Sequence, residues 1–69
     1  MGKSDKEIGK KLKAARTKMS LTQEEVAKNV GLHVNSYAKL ERGEVGASID
    51  TLKKLSKVLG VKSSEILPF

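Results

Sequence analysis

Apolar residues recur at intervals of three and four along most of the chain, and this pattern predicts a series of short helices. Ile8, Leu12 and Ala15 follow that spacing, which predicts a first helix over about residues 5–18. The same spacing predicts further helices over residues 23–30, 34–42 and 49–59, and a short fifth helix within residues 61–67. No stretch alternates between apolar and polar residues for long enough to form a strand. The pattern therefore predicts an all-α fold.

Polar residues and glycines mark where the predicted helices begin and end. Capping residues precede the first, second and fourth helices, namely Ser4 with Glu7, Thr22 with Glu25, and Ser48. Glycines that can close a helix follow the second, third and fourth helices, namely Gly31, Gly43 and Gly60. The third helix is expected to bury Tyr37, Ala38 and Leu40, and the fourth a stripe of Ile49, Leu52, Leu55 and Leu59.

The composition indicates a small basic protein that binds a polyanion. The 69 residues include 14 lysines and arginines against 8 aspartates and glutamates, which gives a formal charge of +6. A chain of this length buries one small core, so we expect a single domain over residues 1–69. It has no cysteine and no apolar run of the length of a membrane span or signal-peptide core. We therefore expect a cytoplasmic protein that makes no contact with a membrane.

One segment, TQEEVAKNVGLHVNSYAKLERG at residues 22–43, breaks a helix at a glycine and begins another at once. Gly31 lies between the apolar residues Val30 and Leu32, and Ala27 is a small residue where the following helix must cross. Two short helices joined by a tight glycine turn have the geometry of a helix-turn-helix. The second helix of such a pair is aimed outward by the turn, while apolar residues on both helices fix the crossing.

The segment resembles the Cro/CI-type helix-turn-helix, the phage-repressor-like family also called the xenobiotic response element family. The likeness includes Arg16 in a basic first helix, the TQEEVA opening, Gly31, the LERG ending and LGV at residues 59–61. It extends over nearly the whole chain. The resemblance implies a lambda-repressor-like bundle of five short helices that binds operator DNA as a homodimer, with the third helix in the major groove.

The resemblance also implies roles for individual side chains. The positions that face bases are His33, Val34, Asn35 and Lys39. Thr22 and Gln23 match positions that contact phosphate, and Gln23 also braces the third helix. Arg16 and Glu41 match a buried ion pair that ties the first helix to the end of the third. The chemistry agrees, since asparagine bonds to adenine, lysine to guanine, and valine meets the thymine methyl group.

Further phosphate contacts are expected from charge and from helix N-termini, whose backbone N–H groups hold anions. We assign this role to Lys28, Ser36, Arg42 and Lys10 or Lys11. Without the family resemblance, Asn35 and Lys39 would be interpreted as part of an ordinary exposed polar face of a short helix. Val34 is equally compatible with a base contact and with local packing.

Four positions depart from the family pattern, and one of them is the start of the fifth helix at residues 62–64, where the usual cap is shifted. Ser20 stands where a glycine is frequent, so the turn after the first helix is expected to differ in shape. Ala47 replaces a frequent proline in the loop over residues 44–47. His33 stands where serine or threonine usually caps the third helix, and a protonated imidazole there is expected to add a phosphate contact in acid.

The sequence leaves two other functions open beside a sequence-specific repressor. The domain could bind mainly another protein, as antitoxins and anti-activators of this fold do, and bind DNA only in that company. It could instead bind polyanions without reading bases, which predicts a steep salt dependence and no sequence preference. The apolar residues Pro68 and Phe69 are expected to belong to a dimer surface or to dock on a partner.

Catalysis, metal binding and cofactor binding are not expected. His33 is the single histidine of the chain, and no other metal-type ligands lie near it in the sequence. With no cysteine and a small core, no nucleophile and base can be paired. The expected partner is double-stranded DNA.

Overall fold

A computed structural model describes residues 4–67 as five helices, whose bounds follow from the caps and glycines of the sequence. The helices are α1 (Asp5–Lys18), α2 (Gln23–Val30), α3 (Val34–Arg42), α4 (Ile49–Leu59) and α5 (Ser63–Ile66). Residues 4–67 contain no strand, and the all-α prediction is confirmed. The dimer surface expected at Pro68 and Phe69 lies outside the described residues.

Four helices begin at a side chain that accepts a hydrogen bond from a backbone N–H group of the first turn. The acceptors are Ser4, Thr22, His33 and Ser48. At α2 the capping box is complete, because the Glu25 carboxylate also accepts from the Thr22 backbone N–H at 3.0 Å. At α1 the Glu7 carboxylate faces the Ser4 hydroxyl at 3.4 Å instead. No side chain caps α5, which begins after Lys62.

The first four helices end in the same way. One residue with positive φ follows each helix, and the next N–H group donates to the carbonyl five residues earlier. The positive-φ residues are Ser20 at 58°, Gly31 at 75°, Gly43 at 73° and Gly60 at 67°. The residues after them are Leu21, Leu32, Glu44 and Val61. Ser20 therefore adopts the conformation that a glycine adopts at the other three ends.

One hydrophobic core lies between the helices and holds the predicted apolar faces. Its largest fully buried side chains are Tyr37, Leu12, Leu52, Leu55, Ile66 and Val26. The sequence prediction was wrong for Ile49, which is 43% exposed. Ile49 is the first residue of α4, and the helix turns toward the core only from Leu52 onward. Ala38 is buried, as predicted.

Helix α1 packs closely against α3 at Gly9, and this approach determines where the helix-turn-helix sits on the bundle. A Cβ atom on Gly9 would lie 2.5 Å from the carbonyl oxygens of both Leu40 and Glu41. Real Cβ atoms do not approach oxygen so closely, so only glycine permits this spacing. The sequence pattern did not single out Gly9, because its role depends on a neighbour about 30 residues away along the chain.

Candidate nucleic-acid interface

Helices α2 and α3 cross at a tight turn built on Gly31. The Leu32 N–H group donates to the Ala27 carbonyl at 2.8 Å, which closes α2 and directs the chain into α3. Ala27 is buried where the two helices meet, and Leu32 is half-buried against the core. The helix-turn-helix expected over residues 22–43 is therefore present as α2, a three-residue turn and α3.

Helix α3 has one buried side and one exposed side. Tyr37, Ala38, Leu40 and Glu41 are buried against the bundle. Asn35, Ser36 and Lys39 are exposed. Lys39 follows Asn35 by four residues and Ser36 by three, so the three side chains lie together on the outer side of the helix. Val34 is half-buried and packs against the core, so its side chain is shared between the interior and this surface.

His33 caps α3 with its ring. The Nδ1 atom accepts a hydrogen bond from the Asn35 backbone N–H at 3.1 Å, so an imidazole takes the place of the usual hydroxyl. A ring that accepts at Nδ1 carries its proton on Nε2. Full protonation would remove the acceptor. An additional phosphate contact in acid would therefore come with the loss of this cap.

The residues expected to contact phosphate fall into two groups. Thr22 is the N-cap of α2, and Lys28 lines a groove together with His33 and Val34 at the start of α3. The Thr22 hydroxyl accepts from the Glu25 N–H at 3.1 Å and keeps its own hydrogen for another acceptor. Lys11 instead lines a groove between α1 and α5, beside Glu65. The structure therefore does not bring Lys11 together with the α2 and α3 residues.

Arg42 at the end of α3 is already paired. Its Nε atom donates to the Glu44 carboxylate, and both side chains are about half exposed, at 55% and 51%. The Arg42 guanidinium lowers the pKa of Glu44, and Lys39 adds to that effect. The sequence pattern did not single out Glu44, because a spacing of two residues does not indicate a side-chain pair at a helix end.

A buried polar network joins α1, α2 and α3 behind the exposed side. Arg16 donates from Nε to Glu41 Oε2 at 2.6 Å and from Nη2 to Oε1 at 3.2 Å. Gln23 donates from Nε2 to the same Oε1 atom at 2.9 Å. Arg16 also donates to the Leu21 carbonyl at 2.9 Å. Three helices thus meet at one carboxylate, and Gln23 braces α3 through it.

The network decides the charge of the buried carboxylate. Burial alone would raise the pKa of Glu41, but hydrogen bonds from Arg16 and Gln23 and the Arg16 charge lower it overall. The hydrogen bond to Glu41 raises the pKa of Arg16. Burial, followed by the nearby Glu41 carboxylate, raises the pKa of Tyr37 well above its usual range. The buried Tyr37 hydroxyl makes no hydrogen bond of standard geometry with residues 4–67.

Residues 4–67 offer neither a metal site nor a membrane span. In that range no three histidine, aspartate or glutamate side chains come together in a way that could hold a metal ion. None of its helices has the length and apolar character needed to cross a bilayer.

The chain and its fold are similar to those of known proteins. The sequence matches the HTH_3 helix-turn-helix family over residues 12–66. It is 36% identical over 63 residues to the control protein C.BamHI of Bacillus amyloliquefaciens, a match that covers 90% of this chain and 78% of the relative. It is 35% identical over 57 residues to the cryptic phage CTXphi transcriptional repressor RstR of Vibrio cholerae, covering 83% of this chain and 51% of the relative.

A solved structure shows the same arrangement of helices. The restriction-modification controller protein C.AhdI from Aeromonas hydrophila superposes with a TM-score of 0.84 at 28% identity, over 91% of this chain and 96% of that one. The family resemblance and the five-helix fold class expected from the sequence are confirmed.

Proposed function

Because the chain belongs to the HTH_3 helix-turn-helix family, whose members are DNA-binding transcriptional regulators and not enzymes, we propose that it represses transcription at an inverted-repeat operator. In this proposal the chain acts as a homodimer and each copy inserts α3 into the major groove. The observation that supports it best is the division of α3 into a buried side and an exposed polar side. Repression, as the direction of regulation, follows the named function of the phage relative.

Base reading is assigned to the exposed residues at the start and middle of α3. Asn35 carries an amide that can bond to adenine N6 and N7, and Lys39 can donate to guanine O6 and N7. Val34 offers its exposed half to a thymine methyl group, and His33 lies just before the helix with Nε2–H as a donor. The Arg16–Glu41–Gln23 network supports this reading, since it fixes the orientation of α3 before DNA arrives.

Phosphate binding is assigned to residues around the α2 and α3 N-termini. The Thr22 hydroxyl lies at the N-terminus of α2, Lys28 and Ser36 lie on either side of the turn, and backbone N–H groups at the helix N-termini add donors. Arg42 extends this surface at the other end of α3, whereas Lys10 is exposed on α1 and Lys11 faces α5. Such contacts fix the register of α3 but carry no sequence information.

A homodimer would place two copies of α3 one turn of DNA apart, about 34 Å. The operator is then expected to consist of two half-sites related by a two-fold axis. The proposal places the protein in the compartment that holds its DNA, which is the cytoplasm in a cell without a nucleus.

The test is selection of bound duplexes from a random-sequence pool at physiological salt, followed by sequencing. We expect an inverted repeat to be enriched, and Asn35→Ala and Lys39→Ala to change the preferred bases within each half-site. Each lost base contact should cost about 1–3 kcal/mol of discrimination. Lys28→Ala is the matched control, since loss of a phosphate contact weakens all duplexes alike.

Two results would contradict the proposal. If no sequence is enriched while binding remains salt-sensitive, α3 of the isolated chain does not read bases, and a protein partner must be sought. If an enriched site is a single half-site bound by one chain, the homodimer is excluded while sequence reading stands.

A further inference from the structure

The end of α3 differs from the ends of α1, α2 and α4 in one residue. At the other three ends, the residue after the positive-φ position is apolar and packs against the core, namely Leu21, Leu32 and Val61. At α3 this residue is Glu44, whose side chain is about half exposed. Packing therefore does not account for the Glu44 side chain.

Helix electrostatics do not account for Glu44 either. The C-terminus of a helix carries a partial negative charge, which favours cations and disfavours carboxylates. Arg42 fits that rule, and Glu44 opposes it. The carboxylate instead accepts from Arg42 Nε and lies in the field of Lys39, two exposed cations of α3.

We propose that Glu44 limits the affinity of this protein for DNA, because its carboxylate binds the Arg42 guanidinium where a DNA phosphate would otherwise bind. The inference rests on the proposed DNA-binding function. A carboxylate and a phosphate oxygen compete for the same N–H donors. An exposed ion pair opens easily, but the freed carboxylate remains next to the phosphate backbone and repels it. Glu44 thus lowers the affinity for every DNA sequence while leaving the choice among bases to Asn35 and Lys39.

The test compares the DNA affinity of wild type and Glu44→Gln across a series of salt concentrations. The probes are two duplexes of about 20 base pairs, long enough for two half-sites one turn apart, one with the selected operator and one with the same bases scrambled. One added phosphate contact steepens the logarithmic salt slope by about 0.9 per subunit. An added slope of this size makes binding at about 0.15 M salt about fivefold tighter per subunit, when the gain is measured against affinities at about 1 M salt. We expect this increase in affinity on both duplexes.

Two further variants identify the cause of any increase in affinity. Arg42→Gln removes the cation, so Glu44→Gln added to it should raise the affinity by less than it does in wild type, because only the repulsion by the carboxylate is then relieved. Glu65→Gln makes the same change in net charge on α5, which packs against α1 and α4. Because Glu65 is remote from α3 in this packing, its variant should increase the affinity less than Glu44→Gln does.

The outcomes separate this inference from the proposed function. Equal affinities of wild type and Glu44→Gln, an equal increase from Glu65→Gln, or a full increase in the absence of Arg42 would each overturn the role of Glu44. An increase that depends on Arg42 supports it, even if operator and scrambled duplex bind equally well. Equal binding of the operator and the scrambled duplex would instead contradict sequence-specific reading by α3.

Discussion

Glu41 shows at the scale of one residue how a buried charge is kept in a small protein. Its side chain is 3% exposed, and its two oxygens accept three hydrogen bonds from Arg16 and Gln23. Burial of an ion pair is costly, and it is compensated only when hydrogen bonds satisfy the charges. The pair therefore adds less to net stability than its short contacts suggest, whereas loss of one partner leaves an unpaired buried charge.

We expect Glu41→Ala to destabilise the fold by about 3–5 kcal/mol, because Arg16 and Gln23 lose their shared acceptor. The measurement is denaturant unfolding at about pH 7, where carboxylates are ionised. Glu44→Ala, which truncates an exposed glutamate, should change the free energy of unfolding by no more than about 0.5 kcal/mol. At temperatures where Glu41→Ala remains folded, its operator preference should be that of wild type. An unchanged midpoint of unfolding for Glu41→Ala would contradict the role of the network.

The same variant should alter the response to acid. The pKa of Glu41 in the folded protein lies below its ordinary value of 4.5, so the unfolded chain binds the proton more readily. This contribution to stability is complete above about pH 4.5 and is lost as the pH falls through the folded value. Stability of Glu41→Ala should therefore fall less steeply in that range. Part of the loss of stability in acid should remain in this variant, because the pKa values of Glu25 and Glu44 are also lowered in the folded protein.

Helix ends show what local sequence determines at the scale of an element. The bounds of α1 to α4 were predictable, because capping side chains and glycines act within a few residues of themselves. His33 was harder to interpret, since an imidazole is an unusual cap and only the structure shows its Nδ1 atom in use. Ile49 was predicted wrongly, because apolar spacing cannot show that the first turn of α4 extends beyond its neighbours.

Ser20 offers a direct test of these helix ends. Its φ of 58° lies in the left-handed region, which costs a residue with a Cβ about 1–2 kcal/mol. Ser20→Gly removes this strain but makes the unfolded chain more flexible, so we expect a net stabilisation of about 0.5–1 kcal/mol. Thermal unfolding would measure this stabilisation as a higher midpoint.

Gly31→Ala is the matched control for Ser20→Gly. Gly31 has a φ of 75°, and a Cβ there would meet no atom within 4 Å. Any loss of stability in Gly31→Ala therefore reports backbone conformation alone, and we expect about 1 kcal/mol. If Ser20→Gly destabilised the protein instead, an interaction other than backbone conformation would have to outweigh the strain at Ser20.

At the scale of the whole molecule, contacts between distant helices decide where the exposed side of α3 lies. The exposed side of α3 could be predicted from the sequence, because the family resemblance and helical spacing agree on Asn35 and Lys39. The close approach of α1 at Gly9 and the pairing of Arg42 with Glu44 could not. Both depend on geometry that no spacing rule or composition records.

Gly9→Ala tests that approach. Alanine favours a helix over glycine by about 1 kcal/mol, so the substitution would stabilise α1 if only the local helix mattered. We expect instead a loss of about 1–3 kcal/mol, because the new methyl group would clash with the Leu40 and Glu41 carbonyls. Denaturant unfolding would give the value.

Gly46→Ala is the control for Gly9→Ala, since the nearest atoms to its Cβ would be those of the flexible Asp5 carboxylate, at 3.1 Å and beyond. Gly46→Ala should therefore lie close to wild type. If Gly9→Ala were as stable as wild type, α1 and α3 would have to separate without cost, and the rigid placement of α3 would be refuted.

The separation of α3 into two sides has a consequence for how such regulators diversify. Residues that hold the helix in place, Tyr37, Leu40 and Glu41, are distinct from those that face outward, Asn35, Ser36 and Lys39. Substitutions at the three outward positions can therefore accumulate with little effect on folding. A library randomised at those positions should retain the scaffold in most of its members and yield repressors for new promoters, so that one bundle can supply many independent genetic switches.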